Sequence, residues 1–328
     1  MSDRFQSVRI EGVFSTPSRL ISGVPQGSVL GPLLFKIYVN DLPFYLQSID
    51  TNITGLKLFA DDLKFYNFVR SIKEALSFQS LINSICDWCA LWQLTINVSK
   101  CNVLHLGTNN CAYMYHVNNA ILQAPSSLKD LGIIMDSALT YRDHIHNVVA
   151  RARSRCALYL KVFKSRNPTM MMRFFTTYVR PTLEYGSQIW SPIGSLEINA
   201  LEGVQRYFTN KVPSCRFLPY SQRLLKLSLH SLHHRRMVAD QVFLHSMMTG
   251  DISVSLSPHL NLQPPAITRG GNLKIVLPSL NYLRSRQNFI TRTAPMWNKF
   301  NLLNFNFDVS TYVFRSKAIT MIQDPFLN

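Results

Sequence analysis

The stretch Gly55-Leu-Lys-Leu-Phe-Ala-Asp-Asp-Leu-Lys-Phe-Tyr66 decides how the rest of the chain is read. Apolar residues alternate with others on both sides of Asp61-Asp62, which predicts two short strands with the aspartates at the turn between them. Two adjacent carboxylates at a strand junction invite a divalent cation. Magnesium takes oxygen ligands and keeps several waters, so one or two carboxylates plus substrate phosphates suffice for a site. The same pair in a turn is also compatible with simple solvation. Leu58, Phe59, Leu63 and Phe65 flank it with an apolar setting in which unpaired charge is costly, and this favours a compensating metal.

Upstream lies SGVPQGSVLGPLLF, Ser22 to Phe35. Pro25 fixes its own φ and pushes Val24 toward an extended conformation, Gly27 lets a backbone approach another surface, and Ser28 is a candidate cap for a helix whose first turn holds Pro32. Leu34, Ile37, Tyr38 and Leu42 recur at helical spacing until Pro43, which is expected to stop the run. Strand, glycine loop and amphipathic helix also describe an ordinary connection in a mixed α/β domain. Downstream, Ile72, Ala75, Leu76, Phe78, Leu81, Ile82, Ile85, Trp88 and Leu91 predict a long helix over Ser71–Leu94, covering one face of the sheet that bears Asp61. Within it Cys86-Asp-Trp-Cys89 has the spacing of half a zinc site or a redox pair. No second half is evident, and cysteines three apart also fit a buried stripe, so packing is the expectation.

These stretches together resemble the reverse transcriptase of non-LTR retrotransposons of the jockey and chicken-repeat type. The segment Ser22–Leu42 is similar to the loop and helix that support template and incoming nucleotide in that family, and Phe59-Ala60-Asp61-Asp62 to its catalytic hairpin. Leu94-Thr-Ile-Asn97-Val-Ser-Lys100-Cys101 resembles the next motif, whose lysine assists proton transfer to pyrophosphate. Val103-Leu-His-Leu-Gly107 looks like the hairpin that grips the primer, and Lys129-Asp-Leu-Gly132 matches a further family phrase. The resemblance implies two-metal nucleotidyl transfer with two Mg²⁺ ions, an RNA template, a DNA primer and dNTPs. Asp61 and Asp62 would be the metal ligands, Asp61 the principal one, because adjacent residues on an extended chain point to opposite faces. Lys100 would be the general acid, and Pro25, Gln26, Gly27 and Ser28 would contact template or nucleotide.

Bulk properties agree with this less specifically. The chain has 328 residues, 47% hydrophobic, and a mean hydropathy of +0.03, which suits two globular domains. No apolar run reaches the ~18 residues of a membrane span, Lys36 interrupting the best candidate, and the start has no apolar signal region. An intracellular protein of nucleus or cytoplasm, not secreted, is expected, its six cysteines as reduced thiols. The net charge of +16 is divided unevenly: residues 1–140 hold ten Lys and Arg against ten Asp and Glu, whereas residues 141–328 hold 24 against eight. Such an asymmetric field is aimed at a polyanion, nucleic acid before acidic protein or anionic membrane.

Beyond the motifs, Val103–His105 and Tyr113–Tyr115 are expected as strands, with Asn118-Asn119 a tight turn between Tyr115–Val117 and Ala120–Leu122. Asp136 is a candidate metal ligand, but a surface turn or helix start is the expectation, with Ser137 nearby as a cap. The next helix, over His144–Phe163, should carry an apolar stripe of Ile145, Val148, Val149, Ala152, Cys156, Leu158 and Val162. Arg151, Arg153, Arg155, Lys161 and Lys164 should form a cationic stripe along a phosphate backbone, a solvated face being the alternative. Met170–Tyr178, a break at Arg180-Pro181, Leu183–Gly186 and Ala200–Lys211 suggest further helices. His230, His233 and His234, with Cys215 upstream, lack a C-x-x-C partner, and structural or nucleic-acid roles are expected rather than zinc. The tail, with Arg284, Arg286, Arg292, Trp297, Lys299, Phe305, Phe307, Phe314 and Arg315, suits either stacking on nucleic acid or a small packed helical cap.

The expected fold class is therefore α+β: a partial polymerase palm over residues 1–137, without fingers or the first palm motif, then a helical, thumb-like basic region over 138–250. A linker over 251–272 and a basic aromatic segment over 273–328 complete it. The resemblance asks for a further aspartate from a motif preceding the glycine loop, and Asp3 lies in the phrase after that motif. Alone, the chain is expected to bind the catalytic metal poorly. Two functions follow: part of an RNA-directed DNA polymerase, or an inactive remnant that at most binds RNA or DNA. An uncovered sheet edge and apolar surface beside Leu56 and Leu58 are expected as well.

Overall fold

In the computed structural model, residues 4–20, 23–24, 27–49, 53–107, 109–253, 261–262, 274–276, 288–303 and 307–327 are described, and the chain divides into two compact units, Met1–Ser126 and Ser127–Asn328. Helices and strands are mixed, as expected of an α+β chain. No helix among the described residues is long and apolar enough to cross a membrane.

The first unit is built on helices α1 (Gly31–Tyr38), α2 (Leu42–Ile49) and α3 (Ile72–Leu91) and the antiparallel hairpin of Gly55–Phe59 with Asp62–Tyr66. Arg4–Gln6 pairs with Ser18–Leu20, and Arg9–Ile10 with Val13–Phe14. Pro43 does not stop the first helical run. The chain turns after Tyr38, and Pro43 is the second residue of α2, where its missing N–H has no intrahelical partner to lose. A complete capping box starts α3: the Ser71 hydroxyl accepts from the Glu74 N–H at 3.3 Å, and the Glu74 carboxylate accepts from Ser71 N–H at 3.0 Å. Leu81, Ile85 and Trp88 of α3 and Leu42 and Leu46 of α2 form a core against the inner hairpin face of Leu56, Leu58, Leu63 and Phe65. Ala75 and Ile82 use an adjacent face of α3 to bury Tyr115 and Val117.

The tight turn at Asn118-Asn119 is as expected: His116–Val117 pairs with Ala120–Ile121, and both asparagines take positive φ, 46° and 66°. Val103–His105 and Tyr113–Tyr115, by contrast, are not strands; the first makes only the Val103 N–H bond to the Gln123 carbonyl beside an isolated bridge.

The second unit opens with the hairpin Ser127–Asp130 and Ile133–Asp136, turned by Leu131 and Gly132 at positive φ. Helix α4 (Arg142–Val162) packs with α8 (Ser195–Thr209), burying Ile145, Val148, Val149, Ala152, Cys156 and Tyr159 beside Leu201, Val204 and Phe208. Leu158 and Val162, assigned to the apolar stripe from sequence, are exposed at 61% and 60%. They lie about a quarter-turn or more from its centre at the α-helical 100° per residue. The break expected at Pro181 is absent. Instead α5 (Pro168–Phe174) runs through a π-helical turn, Phe175–Val179, into α6 (Arg180–Glu184), and the wider turn accommodates the proline without ending the helix.

Short helices α7 (Ser187–Trp190) and α9 (Tyr220–Lys226) flank α8, and α10 (Leu232–Met248) leads to α11 (Phe289–Leu302) and α12 (Thr311–Met321). These last three helices enclose a second core in which Trp297, Phe300 and Phe314 are fully buried. The packed-cap alternative thus holds for Trp297, Phe307 and Phe314, while Arg284, Arg286 and Phe305 lie outside the described residues. So does most of the expected 251–272 linker, where Asn261–Leu262 pairs with Ile275–Val276.

Candidate functional site

The hairpin presents Asp61 and Asp62 at its tip. Phe59 pairs with Asp62, so Ala60 and Asp61 form the turn, Ala60 at φ 51°. Period-2 alternation turns Leu58, Leu63 and Phe65 inward and leaves Lys57, Phe59, Asp62, Lys64 and Tyr66 on the outer face. Both carboxylates are exposed, and Phe59 is 62% exposed. The apolar setting expected around them is therefore confined to the far face of the sheet. The carboxyl groups face solvent, where no compensating partner is required for stability. They are left open to a ligand instead: hard oxygen donors, adjacent and solvent-facing, fit one or two sites on a divalent cation.

Around the glycine loop, Gly27 has φ 79° with open space where a Cβ would stand, and Ser28 does cap a helix end. Its hydroxyl accepts from Gly31 N–H at 3.0 Å, although Leu30 occupies the N-cap position itself. Pro25 and Gln26 lie outside the described residues. Beyond the loop, Leu33 and Ile37 of α1 are exposed at 52% and 64%, whereas Val39, Leu42 and Leu46 are buried.

Lys100 ends a short 3-10 turn, Val98–Lys100, and is exposed. Asn97 organises that turn, accepting from Lys100 N–H at 3.0 Å through its carbonyl and from the Ser99 hydroxyl at 2.7 Å through its side chain. Leu94 and Ile96, just before it, pack on the same core as Leu58 and Leu63, so the lysine segment and the hairpin share one support. Among the described residues no ion pair joins Lys100 to either carboxylate. The expected primer-gripping segment, Val103–Gly107, forms no hairpin.

On α4 the cations do not form a single stripe. At 100° per residue, Arg151 and Arg155 fall on one flank of the buried face, Arg153 on the other and Lys161 on the back, while Lys164 lies past the helix end. Arg155 also has an internal role, donating to the Tyr178 carbonyl at 2.6 Å and to the Thr182 hydroxyl. Asp136 spends its carboxylate oxygens on groups of its own turn. Neither it nor Ser137 caps α4, whose N-cap Tyr141 carries no side-chain cap bond; Asp136 organises the turn before the helix, its carboxylate accepting from Ala138, Thr140 and Tyr141 N–H at 3.0, 3.1 and 2.8 Å. Burial pushes its carboxyl up, but these bonds outweigh that and hold it below the usual carboxylate range.

The histidines sit at the start of α10. The Ser231 hydroxyl caps His234 N–H at 3.0 Å, buried Glu202 accepts from Leu232 and His233 N–H at 3.2 Å each, and Asp324 accepts from Ser231 N–H at 2.8 Å. His230, His234 and Asp324 bring ligand-type atoms within 4.8 Å of one another. Cys215 is not among them; it is buried in the core under α4. Cys86 and Cys89 are half-buried, their thiols pushed up by burial, as a packing role requires. Sequence reasoning missed the network of Glu202, Tyr220 and Gln205 beneath α10, in which the Gln205 amide donates to the Tyr220 hydroxyl at 3.1 Å. Residues so far apart along the chain leave no local signal.

Residues 4–135 match the family of reverse transcriptases (RNA-dependent DNA polymerases). Over 271 residues the chain is 27% identical to the probable RNA-directed DNA polymerase from transposon X-element of Drosophila melanogaster, covering 80% of this chain and 28% of that protein. It is 29% identical over 262 residues to the probable RNA-directed DNA polymerase from transposon BS of the same fly, covering 76% and 28%. To the RNA-directed DNA polymerase from mobile element jockey it is 26% identical over 212 residues, covering 62% and 23%. The chain thus spans about a quarter of the length of these relatives. No solved structure matches it.

Proposed function

The chain is a relative of the reverse transcriptases of non-LTR, LINE-type retrotransposons, and from that premise we propose that its first unit is part of the palm of an RNA-directed DNA polymerase. The observation that carries the reading is the exposed Asp61-Asp62 pair at the tip of a hairpin inside the matched segment. Asp61, at the turn, is the principal ligand for a divalent cation, Mg²⁺ in this proposal, and Asp62 the secondary one. The bound cation supplies charge neutralisation at the reacting phosphate and acidifies the primer hydroxyl.

In the reaction the primer 3′ hydroxyl gives its proton to solvent water as its oxygen forms a bond to the α-phosphorus of a dNTP, and the bond from that phosphorus to the pyrophosphate oxygen breaks. Lys100 gives its ammonium proton to the leaving pyrophosphate, and its charge offsets the developing anion before transfer. Gly27, open where a Cβ would project, lets the backbone come close to the template or nascent pair, as proposed also for Pro25, Gln26 and Ser28. The second unit would serve as a thumb-like region whose excess of 24 basic over eight acidic residues across 141–328 holds the duplex by its phosphates, Arg151, Arg153, Lys161 and Lys164 from the solvent side.

A second reading, nucleic-acid binding without polymerisation, draws on the same charge distribution and on the two carboxylates being few for a two-metal clamp. Primer extension on an RNA template separates them. Incorporation that Asp61→Asn reduces by at least about 10³-fold supports the polymerase, on the scale of losing a principal electrostatic group. Template binding without incorporation at any Mg²⁺ or Mn²⁺ concentration supports the second.

A further inference from the structure

The second unit holds a cavity of about 320 Å³ whose wall includes Glu184, Arg235, Arg236, Arg315, His230 and His234. Arg236 is 1% exposed, and among the described residues its buried Nε, Nη1 and Nη2 have no hydrogen-bond partner. A guanidinium removed from water with every nitrogen unanswered is among the costliest groups a fold can hold. The neighbouring acids do not answer it. Glu184 takes Arg235 through both oxygens, with the Arg180 Nε 3.8 Å away. Glu202 is occupied by Tyr220 and the start of α10, and Asp240 by Arg292. These acids compensate Arg236 through space and leave its donors bare.

We propose that this cavity binds a phosphate oxyanion, with Arg236 as its buried anchor and Arg315 at its exposed rim. The planar fork of a guanidinium matches phosphate oxygens two at a time, and Arg235, Arg236 and Arg315 outnumber Glu184 along the wall. Burial, countered by Glu202, Glu184 and Asp240, brings Arg236 only to about 10, so the anchor is charged at neutral pH. The convergence of His230, His234 and Asp324 raises the opposite possibility, a cation. Arg235 and Arg236 beside it repel one, Asp324 spends its oxygens on Ser231, and the His234 Nε2 is 2.9 Å from the Ile322 carbonyl. The anion therefore has the better-matched wall.

The site does not depend on the polymerase reading, and its test is independent of nucleotide incorporation. Thermal unfolding of the full chain is followed in inorganic phosphate and in chloride at matched ionic strength. Phosphate should raise Tm with a saturating dependence. Arg236→Met should abolish that response while unfolding in chloride no earlier than the parent, because an unpaired buried charge is exchanged for an apolar side chain. If Arg236→Met fails to fold, Arg315→Ala, at the exposed rim, should weaken phosphate binding severalfold. No phosphate response in the parent overturns the proposal, as does an equal response in every folded variant. Competition between inorganic phosphate and a single-stranded oligonucleotide then identifies the source. Competition lost in the variant assigns a nucleic-acid backbone phosphate, and phosphate binding with unchanged oligonucleotide affinity assigns free phosphate; both uphold the site.

Discussion

Asp136 and Asp61 carry the same chemical group to opposite ends. Asp136 accepts three backbone N–H bonds and the Thr140 hydroxyl at 3.0 Å, so its carboxylate is consumed in holding the entry to α4. Asp61, at the tip of its hairpin, faces solvent. Asp136→Ala should therefore cost about 1–3 kcal/mol in urea unfolding, the range of losing hydrogen bonds to a charged group. Because the folded carboxyl lies below its unfolded value of about 3.9, its contribution is complete above that pH and lost as pH falls through the folded value. The gap between parent and variant should accordingly be constant from neutral pH to about 5 and narrow below about 4. Asp61→Ala, by the same measurement, should change stability by less than about 0.5 kcal/mol, as an exposed substitution does.

At the scale of elements, the capping box on α3 secures the helix against which the Asp61-Asp62 hairpin is packed. Ser71→Ala removes the hydroxyl that accepts from Glu74 N–H and should destabilise the chain by about 0.5–2 kcal/mol by denaturant titration. On α4, the arginines separate by their surroundings. Arg151→Gln and Arg153→Gln should each lower the salt slope of nucleic-acid binding by about 1, read from affinities across a salt series. Arg155→Gln should instead lower thermal stability, since it removes the donor that ties α4 to Tyr178 and Thr182 across the π-helical turn.

For the whole molecule, the basic excess of residues 141–328 and the exposed apolar residues of the first unit are two separate surface features. Phe5, Ile10, Val13, Phe14, Val29, Leu33, Ile37 and Phe44 are all more than half exposed, an apolar surface of the kind that ordinarily contacts another surface. The relatives are about four times longer than the matched segment. Across the full chain, affinity for a single-stranded oligonucleotide should fall linearly in log–log form as salt rises, with slope about −0.7 per phosphate contact. An affinity unchanged between low and moderate salt would contradict phosphate contacts altogether.

The sequence by itself determined what is local. The hairpin at Asp61-Asp62, the capped α3 and the Asn118-Asn119 turn follow from period-2 alternation, a serine three residues before a glutamate, and asparagines that tolerate positive φ. The resemblance to reverse transcriptases was legible for the same reason, since the stretches that carry it are short and lie in order along the chain. Tertiary structure decided the rest. Whether Pro43 ends a helix or begins one, whether Pro181 breaks a helix or is absorbed by a π turn, and whether Val103–His105 becomes a strand all depend on which neighbours can accept hydrogen bonds. The carboxylates at 61 and 62 are exposed because only the inner hairpin face meets α2 and α3. Arg236 lost its partners because Glu184, Glu202 and Asp240 were claimed by residues distant in sequence, a competition for lone pairs that exists only once the helices have packed.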